Sequence, residues 1–294
     1  MATFKGVFTV LITPMTSEQD IDFNGLKENI DWQIGQGIQG ICVLGSTGEF
    51  ASLSVEERLN IAETAIKHVN GRIPCIIGTA AESTRETIFY TKHAKEIGAD
   101  GVLIINPYYC RPSFDEIYLH YKAVSEAVDI PIMAYNNPRH SGVDMNPEIL
   151  VKICQLKNID YVKDASGDLR RVADIKRLAN GKVTIFCGGE DLALLNFTLG
   201  ATGWICVCGN LIPREANQLL ELVKQGKLEE ANLLFARLYP LLDILENSPK
   251  SLQIVKKSLE LMGHPSGPCR FPRQPLSESE SDKLLGLLKA LSLV

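Results

Sequence analysis

The sequence has no uninterrupted apolar run of 18 residues, which is the length that a membrane-spanning helix requires. It also has no basic cluster, and its formal net charge of -5 argues against nucleic acid or an acidic membrane surface as a partner. The first residues, Met1 to Lys5, contain no apolar signal core and no cleavage pattern. These absences predict a cytoplasmic protein that acts on small molecules.

Sequence motifs for metals are missing as well. None of the eight cysteines lies in a Cys-x-x-Cys motif, and the five histidines include no His-Glu-x-x-His. We therefore expect no metal site. In a cytoplasmic chain the cysteines are expected to be reduced, buried, small apolar residues.

What the sequence does contain is a regular alternation of short apolar runs and amphipathic segments from Gly6 to Lys224. Eight such β–α units, with apolar rather than alternating strands, indicate parallel strands that are buried on both faces. Eight is the number that closes a (β/α)₈ TIM barrel. A doubly wound sheet is the competing fold, but Pro14-Met15-Thr16 stands where its glycine-rich dinucleotide turn would follow the first strand.

The pattern changes after residue 226. Three further helices are predicted, over 228–245, 250–262 and 279–291, with no strands between them. The sequence therefore predicts an α/β protein with two parts. Residues 1–226 form a barrel that carries the active site, and residues 227–294 form a C-terminal helical domain.

The active site of such a barrel lies at the carboxyl ends of its strands. Lys163 ends the predicted sixth strand, and a neutral lysine in an apolar pocket is a nucleophile for Schiff-base formation. A solvated lysine where a strand meets a loop is the plainer interpretation. Tyr135 ends the predicted fifth strand, 28 residues before Lys163. In a barrel this spacing places both residues on neighbouring strands, facing one centre.

Two other strand ends are rich in glycine. Gly45-Ser46-Thr47-Gly48-Glu49 follows the second strand, and its N–H groups and hydroxyls could bind a carboxylate. Gly188-Gly189 follows the seventh strand and leaves room for a ligand beside the lysine. An ordinary turn is the alternative in both places.

Four motifs together resemble the dihydrodipicolinate synthase / N-acetylneuraminate lyase family. They are Gly-Ser-Thr-Gly-Glu at 45–49, Pro-Tyr-Tyr at 107–109, Tyr-Asn-x-Pro at 135–138 and Lys-Asp-Ala-Ser-Gly-Asp at 163–168. Their order and spacing match along nearly the whole chain, including the helical tail.

The resemblance implies a class I aldolase-type lyase in which Lys163 forms an imine with pyruvate or another 2-oxo acid. It implies that Tyr135 shuttles protons and that Thr47 and Tyr109 complete a hydroxyl relay. No metal or organic cofactor is needed. A homodimer or homotetramer is implied, because the family's tyrosine at the Tyr109 position reaches into the neighbouring subunit's site. The substrate-binding residues that the resemblance implies are Ser46, Gly48, Arg139, His140, Gly188, Gly189 and Ile205.

One position departs from the pattern of the synthases in this family, which condense pyruvate with aspartate semialdehyde. They carry an arginine for the semialdehyde's carboxylate where this chain has His140, and Arg139 stands one position early. If Arg139 cannot turn in, the semialdehyde should be a poor substrate. Neutral hydroxyls could then bind to His140, Ser141 and Asn137.

Three functions therefore remain open. The first is the synthase reaction. The second is a dehydratase, deaminase or aldolase reaction on a longer 2-oxo acid, such as a 2-keto-3-deoxy sugar acid or 1-pyrroline-4-hydroxy-2-carboxylate. The third is a catalytically silent ligand-binding barrel, against which the intact Lys163, Tyr135 and Thr47 argue.

Overall fold

The computed structural model describes residues 4–294 and contains a closed barrel of eight parallel strands in sequence order. The predicted (β/α)₈ barrel with a C-terminal helical part is confirmed. The eight strands are β1 (Gly6–Val10), β2 (Gly40–Val43), β3 (Cys75–Gly78), β4 (Gly101–Ile105), β5 (Ile132–Asn136), β6 (Tyr161–Asp164), β7 (Thr184–Cys187) and β8 (Gly203–Cys206).

The strands are short and apolar because they are covered on both faces, by the barrel interior and by the outer helices. Every strand residue is buried except Thr184, which is partly exposed. Aromatic rings fill the lower interior, where Phe8 packs edge to face against Phe186. The upper end is left to polar side chains.

Within residues 4–294, nine α-helices connect or follow the strands. They are α1 (Phe23–Gly35), α2 (Val55–Val69), α3 (Thr84–Glu96), α4 (Phe114–Ala127), α5 (Pro138–Ser141), α6 (Pro147–Ile153), α7 (Arg170–Leu178), α8 (Ala193–Leu199) and α9 (Pro213–Lys224). The capping box predicted at α2 is present, since Ser54 accepts from the Glu57 N–H and Glu57 accepts from the Ser54 N–H.

The short helix α5 is not evident from apolar periodicity. It begins because the Asn137 side chain accepts from the His140 N–H and Pro138 occupies the first helical position. The helix ends at Gly142, whose φ of +69° suits glycine. This single turn places Arg139 and His140 beside the end of β5.

The C-terminal part consists of α10 (Leu228–Asn247), α11 (Ser251–Leu261) and α12 (Glu278–Ala290). Its buried side chains, such as Leu238, Leu242 and Leu259, belong to the same hydrophobic core as the barrel. The change from barrel to helices near residue 226 agrees with the sequence pattern. The division into two domains at that point remains a prediction.

A buried ion pair joins the C-terminal part to the loop after β2. Lys256 on α11 lies 2.7 Å from the Glu49 carboxylate, and both side chains are almost fully buried. Lys256 also donates to the Pro268 carbonyl at 2.7 Å, and Glu49 accepts from the Arg270 N–H at 2.9 Å. The loop that carries Ser46 and Thr47 is therefore attached to the helical part.

Lys256→Met is expected to lower the free energy of unfolding by about 3 kcal/mol or more, because it leaves the Glu49 carboxylate buried without its cation. Urea denaturation measures the change. Lys257→Met is the matched control, since Lys257 pairs with Glu260 on the helix surface and should matter by less than about 1 kcal/mol. Equal effects of the two variants would contradict the role given to the buried pair.

The cysteine prediction is correct in part. All eight cysteines are free thiols, and six of them are buried. The predicted burial is wrong for Cys110, which is exposed in the loop after β4, and Cys154 is only partly buried. In the part of the chain that the structure describes, no helix combines the length and apolar character needed to cross a membrane.

Candidate active site

Lys163 and Tyr135 lie side by side at the top of the barrel. The parallel register of β5 and β6 pairs Tyr135 with Lys163, as the 28-residue spacing predicted. The Lys163 residue is 5% exposed, and its Nζ lies 4.1 Å from the centre of the Tyr135 ring. Within residues 4–294 no carboxylate lies within 4 Å of this amine. It is therefore not committed to a salt bridge.

A cavity of about 380 Å³ opens above this pair, between the barrel strands and the C-terminal helices. Seven of the residues predicted for the site line it. They are Ser46, Thr47, Tyr135, Arg139, His140, Lys163 and Gly188. The juxtaposition of an amine, hydroxyls and cations in one cavity suits imine chemistry on an anionic substrate.

The other four predicted residues lie outside this lining. Ile205 is buried within β8, and the residue near that strand end that faces the cavity is Val207. Gly48 is buried in the loop after β2, and Gly189 lies beyond Gly188. Tyr109 is 89% exposed on the surface. A role for Tyr109 thus depends on a second subunit.

The loop after β2 has an unusual backbone. Leu44 and Glu49, which flank it, both have positive φ, near +60°. Such conformations are unfavourable for these residues and are kept only where surrounding contacts fix them. One such contact is the Thr13 hydroxyl, which donates to the Gly48 carbonyl at 2.7 Å. The loop is held in one shape before a ligand binds.

This shape leaves two N–H groups available. The N–H groups of Gly48 and Glu49 donate to the carbonyls of Gly45 and Ser46 within the turn. Those of Ser46 and Thr47 have no acceptor among the described residues. Together with the two hydroxyls, they offer a substrate carboxylate up to four donors.

Gly188 lines the cavity and is also required by packing. A Cβ at this position would stand 2.8 Å from both the Asp164 carbonyl oxygen and the Ala165 side chain. The Gly188 N–H also donates to that carbonyl at 2.7 Å. The missing side chain therefore lets the ends of β6 and β7 lie close together, and the expected room for a ligand beside the lysine stays a prediction.

A polar network holds the end of β6. The Asn136 side chain donates to the Asp164 carboxylate at 2.8 Å, and the Ser166 hydroxyl donates to it at 2.7 Å. Burial raises the pKa of Asp164, and these two partners oppose the rise. Because Asp164 follows Lys163 directly, this network fixes the backbone from which the lysine projects.

Asn137 was expected to bind substrate hydroxyls, but its side chain makes two hydrogen bonds within the protein. Its side-chain N–H donates to the Tyr135 hydroxyl at 2.8 Å, and its Oδ1 caps α5. The Tyr135 oxygen is thereby occupied as an acceptor, which leaves its own O–H for another partner. Ser141, expected to face a substrate, is fully buried and donates to the Asn137 carbonyl at 3.0 Å.

The C-terminal helices supply a carboxylate that sequence reasoning did not find. Glu246, near the end of α10, lines the cavity and accepts from the Glu190 N–H at 2.8 Å. Burial raises the pKa of Glu246, and the nearby Lys163 and Arg139 oppose the rise. The active-site cavity is thus not formed by residues 1–226 alone.

Glu190, the partner of Glu246, holds the end of β8. Its carboxylate accepts from the N–H groups of Val207 at 2.6 Å and Cys208 at 3.1 Å. Complete burial raises the pKa of Glu190 to about 7.

No group of three or more His, Cys, Asp or Glu side chains in residues 4–294 is arranged to hold a metal ion.

Comparison with known proteins decides the family. The model of the dihydrodipicolinate synthetase family matches residues 3–291. The chain belongs to this family. It is a class I aldolase-type lyase family, and the resemblance inferred from the four motifs is confirmed.

Similar members of the dihydrodipicolinate synthetase family cover nearly the whole chain. The 4-hydroxy-tetrahydrodipicolinate synthase of Geotalea daltonii is 35% identical over 99% of this chain and 100% of its own length. That of Syntrophus aciditrophicus is 37% identical over 99% of each chain. The crystal structure of the chloride-inhibited dihydrodipicolinate synthase of Acinetobacter baumannii, complexed with pyruvate, is 35% identical. Its TM-score is 0.94, with 99% of this chain and 100% of that chain covered.

The departure from the family pattern at position 140 is also visible in the structure. His140 lines the cavity, and desolvation lowers the pKa of its imidazole, as do the neighbouring charges of Arg139, Lys163 and Arg273. Arg139 lines the cavity too, but its guanidinium donates to the carbonyl of Glu246 and, at 3.4 Å, to that of Asn247. Neither residue offers an unengaged cation to a second substrate.

Proposed function

We propose that this protein is a 4-hydroxy-tetrahydrodipicolinate synthase, which condenses pyruvate with aspartate semialdehyde through an imine on Lys163. The single observation that carries the proposal is the unpaired amine of Lys163 beside Tyr135 in the cavity. The names of the full-length relatives support the same reaction.

The chemistry starts with attack of the Lys163 Nζ on the keto carbon of pyruvate. Loss of water then gives a protonated imine, which withdraws electrons and acidifies the methyl group next to it. Removal of a methyl proton forms an enamine, which attacks the aldehyde carbon of the second substrate. The amino group of that substrate finally attacks the imine carbon, so that a ring forms and the lysine amine is released.

Tyr135 is the group placed to move protons in these steps. The Lys163 amine lies 4.1 Å from the centre of its ring, and Asn137 donates to its hydroxyl oxygen at 2.8 Å. The pyruvate carboxylate would bind to the N–H groups and hydroxyls of Ser46 and Thr47. The Thr47 hydroxyl would also belong to the proton relay with Tyr135 and Tyr109.

The relay needs a second subunit. Tyr109 stands 89% exposed, and its N–H donates to the Glu82 carboxylate at 3.1 Å, which fixes the loop that presents it. We expect a homodimer or homotetramer in which this ring enters the neighbouring site. Light scattering at assay concentration tests the assembly.

The proposed compartment is the cytoplasm, in keeping with the eight free thiols.

A second candidate reaction is the conversion of a longer 2-oxo acid through the same lysine imine. It is favoured by the lack of an arginine at position 140 and by the engagement of Arg139 with backbone carbonyls. It is weakened by Asn137 and Ser141, whose polar groups are used within the protein and are not available as a set for substrate hydroxyls.

Substrate assays separate the two candidates. The protein is expected to condense pyruvate with aspartate semialdehyde at a kcat/KM of about 10⁴ M⁻¹s⁻¹ or better, within the usual range for enzymes. A 2-keto-3-deoxy sugar acid and 1-pyrroline-4-hydroxy-2-carboxylate should react at least about 100-fold less efficiently, which corresponds to the loss of two or three matched polar contacts. A higher efficiency on either of these acids would replace the synthase assignment by the second candidate.

A further inference from the structure

One basic side chain in the cavity has no role in the proposed mechanism. Four basic side chains line it, namely Arg139, His140, Lys163 and Arg273. Lys163 is the nucleophile, and Arg139 donates to two backbone carbonyls. Desolvation, together with the neighbouring cations, lowers the pKa of the His140 imidazole and so disfavours its protonated form. Arg273 remains.

Arg273 comes from the segment between α11 and α12 and is shared by two neighbouring cavities. It lines the main cavity together with Lys163, and it lines a smaller adjoining cavity of about 170 Å³ together with Ser46, Tyr108 and His140. Its side chain is 41% exposed. A partly exposed guanidinium in the cavity that also contains Lys163 is available to a second substrate.

The guanidinium is only loosely held by the protein. Among residues 4–294 its one ionic contact is with the Glu49 carboxylate, at 3.9 Å. That carboxylate already has Lys256 at 2.7 Å and the Arg270 N–H at 2.9 Å. The fork of N–H donors on Arg273 therefore remains available for a planar anion.

The segment that carries Arg273 is nevertheless firmly anchored. The Arg270 guanidinium binds both oxygens of the Glu57 carboxylate at 2.7 Å and also donates to the carbonyls of Gln19 and Ser52. Three residues further on, Arg273 is thus presented from a fixed backbone. A fixed backbone with an unengaged guanidinium is the arrangement expected of a binding residue rather than of a structural one.

We propose that Arg273 binds the carboxylate of the second substrate and so replaces the arginine that the chain lacks at position 140. The proposal rests on the proposed function and names the residue that selects an anionic aldehyde as the partner of the pyruvate enamine. It assigns this specificity to the C-terminal part of the chain, outside the barrel.

Steady-state kinetics with pyruvate and aspartate semialdehyde test the proposal. Arg273→Met should lower kcat/KM for the semialdehyde roughly 10- to 100-fold, the usual effect of removing a charge-assisted contact. The KM for pyruvate should change by less than about threefold, since pyruvate binds deeper in the site. Arg273→Lys should retain part of the efficiency, because an ammonium pairs with a carboxylate but lacks the planar fork.

Two controls show whether the effect is specific. Arg177→Met removes a charge from the outer surface at α7 and should change neither constant. Arg139→Met should change the semialdehyde constant less than Arg273→Met does. If the loss appears with Arg139→Met instead, or if Arg273→Met lowers the melting temperature and leaves both constants intact, the proposal is overturned.

A binding measurement separates this proposal from the proposed function. Borohydride trapping is read by intact mass with 2-oxoglutarate, whose far end is a carboxylate, and with 2-oxopentanoate, whose far end is a methyl group. The native protein should prefer the dicarboxylate, and Arg273→Met should reduce that preference about tenfold or more. An unchanged preference overturns the role of Arg273, even if condensation proceeds. If the acids are trapped but no condensation occurs, aspartate semialdehyde is not the substrate, and the preference for the dicarboxylate still tests the role of Arg273. If neither acid is trapped, both proposals are overturned.

Discussion

Lys163→Ala is expected to abolish both turnover and the adduct that borohydride traps with pyruvate. No other amine in the described cavity is placed as Lys163 is, at the end of β6 and beside the Tyr135 ring. Removing the nucleophile of a covalent mechanism lowers kcat by several powers of ten, on the order of 10⁴-fold or more. The initial rate of condensation and the intact mass after reduction measure the two effects.

Lys152→Ala is the matched control for this prediction. Lys152 lies on α6, is half exposed over the Tyr118 ring and does not line the cavity. This variant should keep the native rate and gain the full adduct mass. A Lys163→Ala protein that still gained the pyruvate adduct would show that another lysine is the nucleophile, and the proposed mechanism would fail.

Tyr135→Phe is expected to reduce kcat by roughly 10²-fold or more, the usual effect of removing a general acid and base. The substitution deletes the hydroxyl that accepts from Asn137, while the ring that lies against the Lys163 amine remains. The protein should stay folded, with a melting temperature close to that of the native chain. Trapping should become slower without losing its final extent, since the lysine is still present.

The control for Tyr135 is Tyr239→Phe. Tyr239 lies on α10, is 44% exposed and does not line the cavity, so the loss of its hydroxyl should leave kcat unchanged. If Tyr135→Phe worked at a near-native rate, Tyr135 would be only part of the cavity wall. The proton transfers would then belong to another group.

The positions of Lys163 and Tyr135 could be predicted from the sequence because they depend on local pattern and on fold geometry. Each residue ends a short apolar run, and one β–α unit separates the two runs. In a closed parallel barrel, consecutive units are neighbours, so the spacing alone brings the side chains together. The same reasoning placed Ser46 and Thr47 on the cavity, since they end the second run.

Contacts between distant parts of the chain could not be predicted in this way. Glu246 and Arg273 reach the cavity because α10 and the segment after α11 fold back over the barrel, and periodicity indicates helices without indicating where they dock. The predicted site therefore lacked the groups that close it.

Some contacts between residues close in the chain could not be predicted from the sequence either. Asn137 looks like a residue that could bind substrate, yet it caps a four-residue helix and holds the Tyr135 hydroxyl. Gly188 was expected to make room for a ligand; it lines the cavity, and its missing side chain also lets the neighbouring strand end approach. In both cases the residue type was informative, and its partner depended on the packing of adjacent strand ends.

The most direct test of the account is the site at which pyruvate is trapped in the native protein. The protein is reduced with borohydride in the presence of pyruvate, digested, and its peptides are sequenced by mass spectrometry. We expect one pyruvate-derived group per chain, located on Lys163, and no label when pyruvate is omitted. A stoichiometric label on any other lysine, or no label at pyruvate concentrations that sustain turnover, would contradict the account.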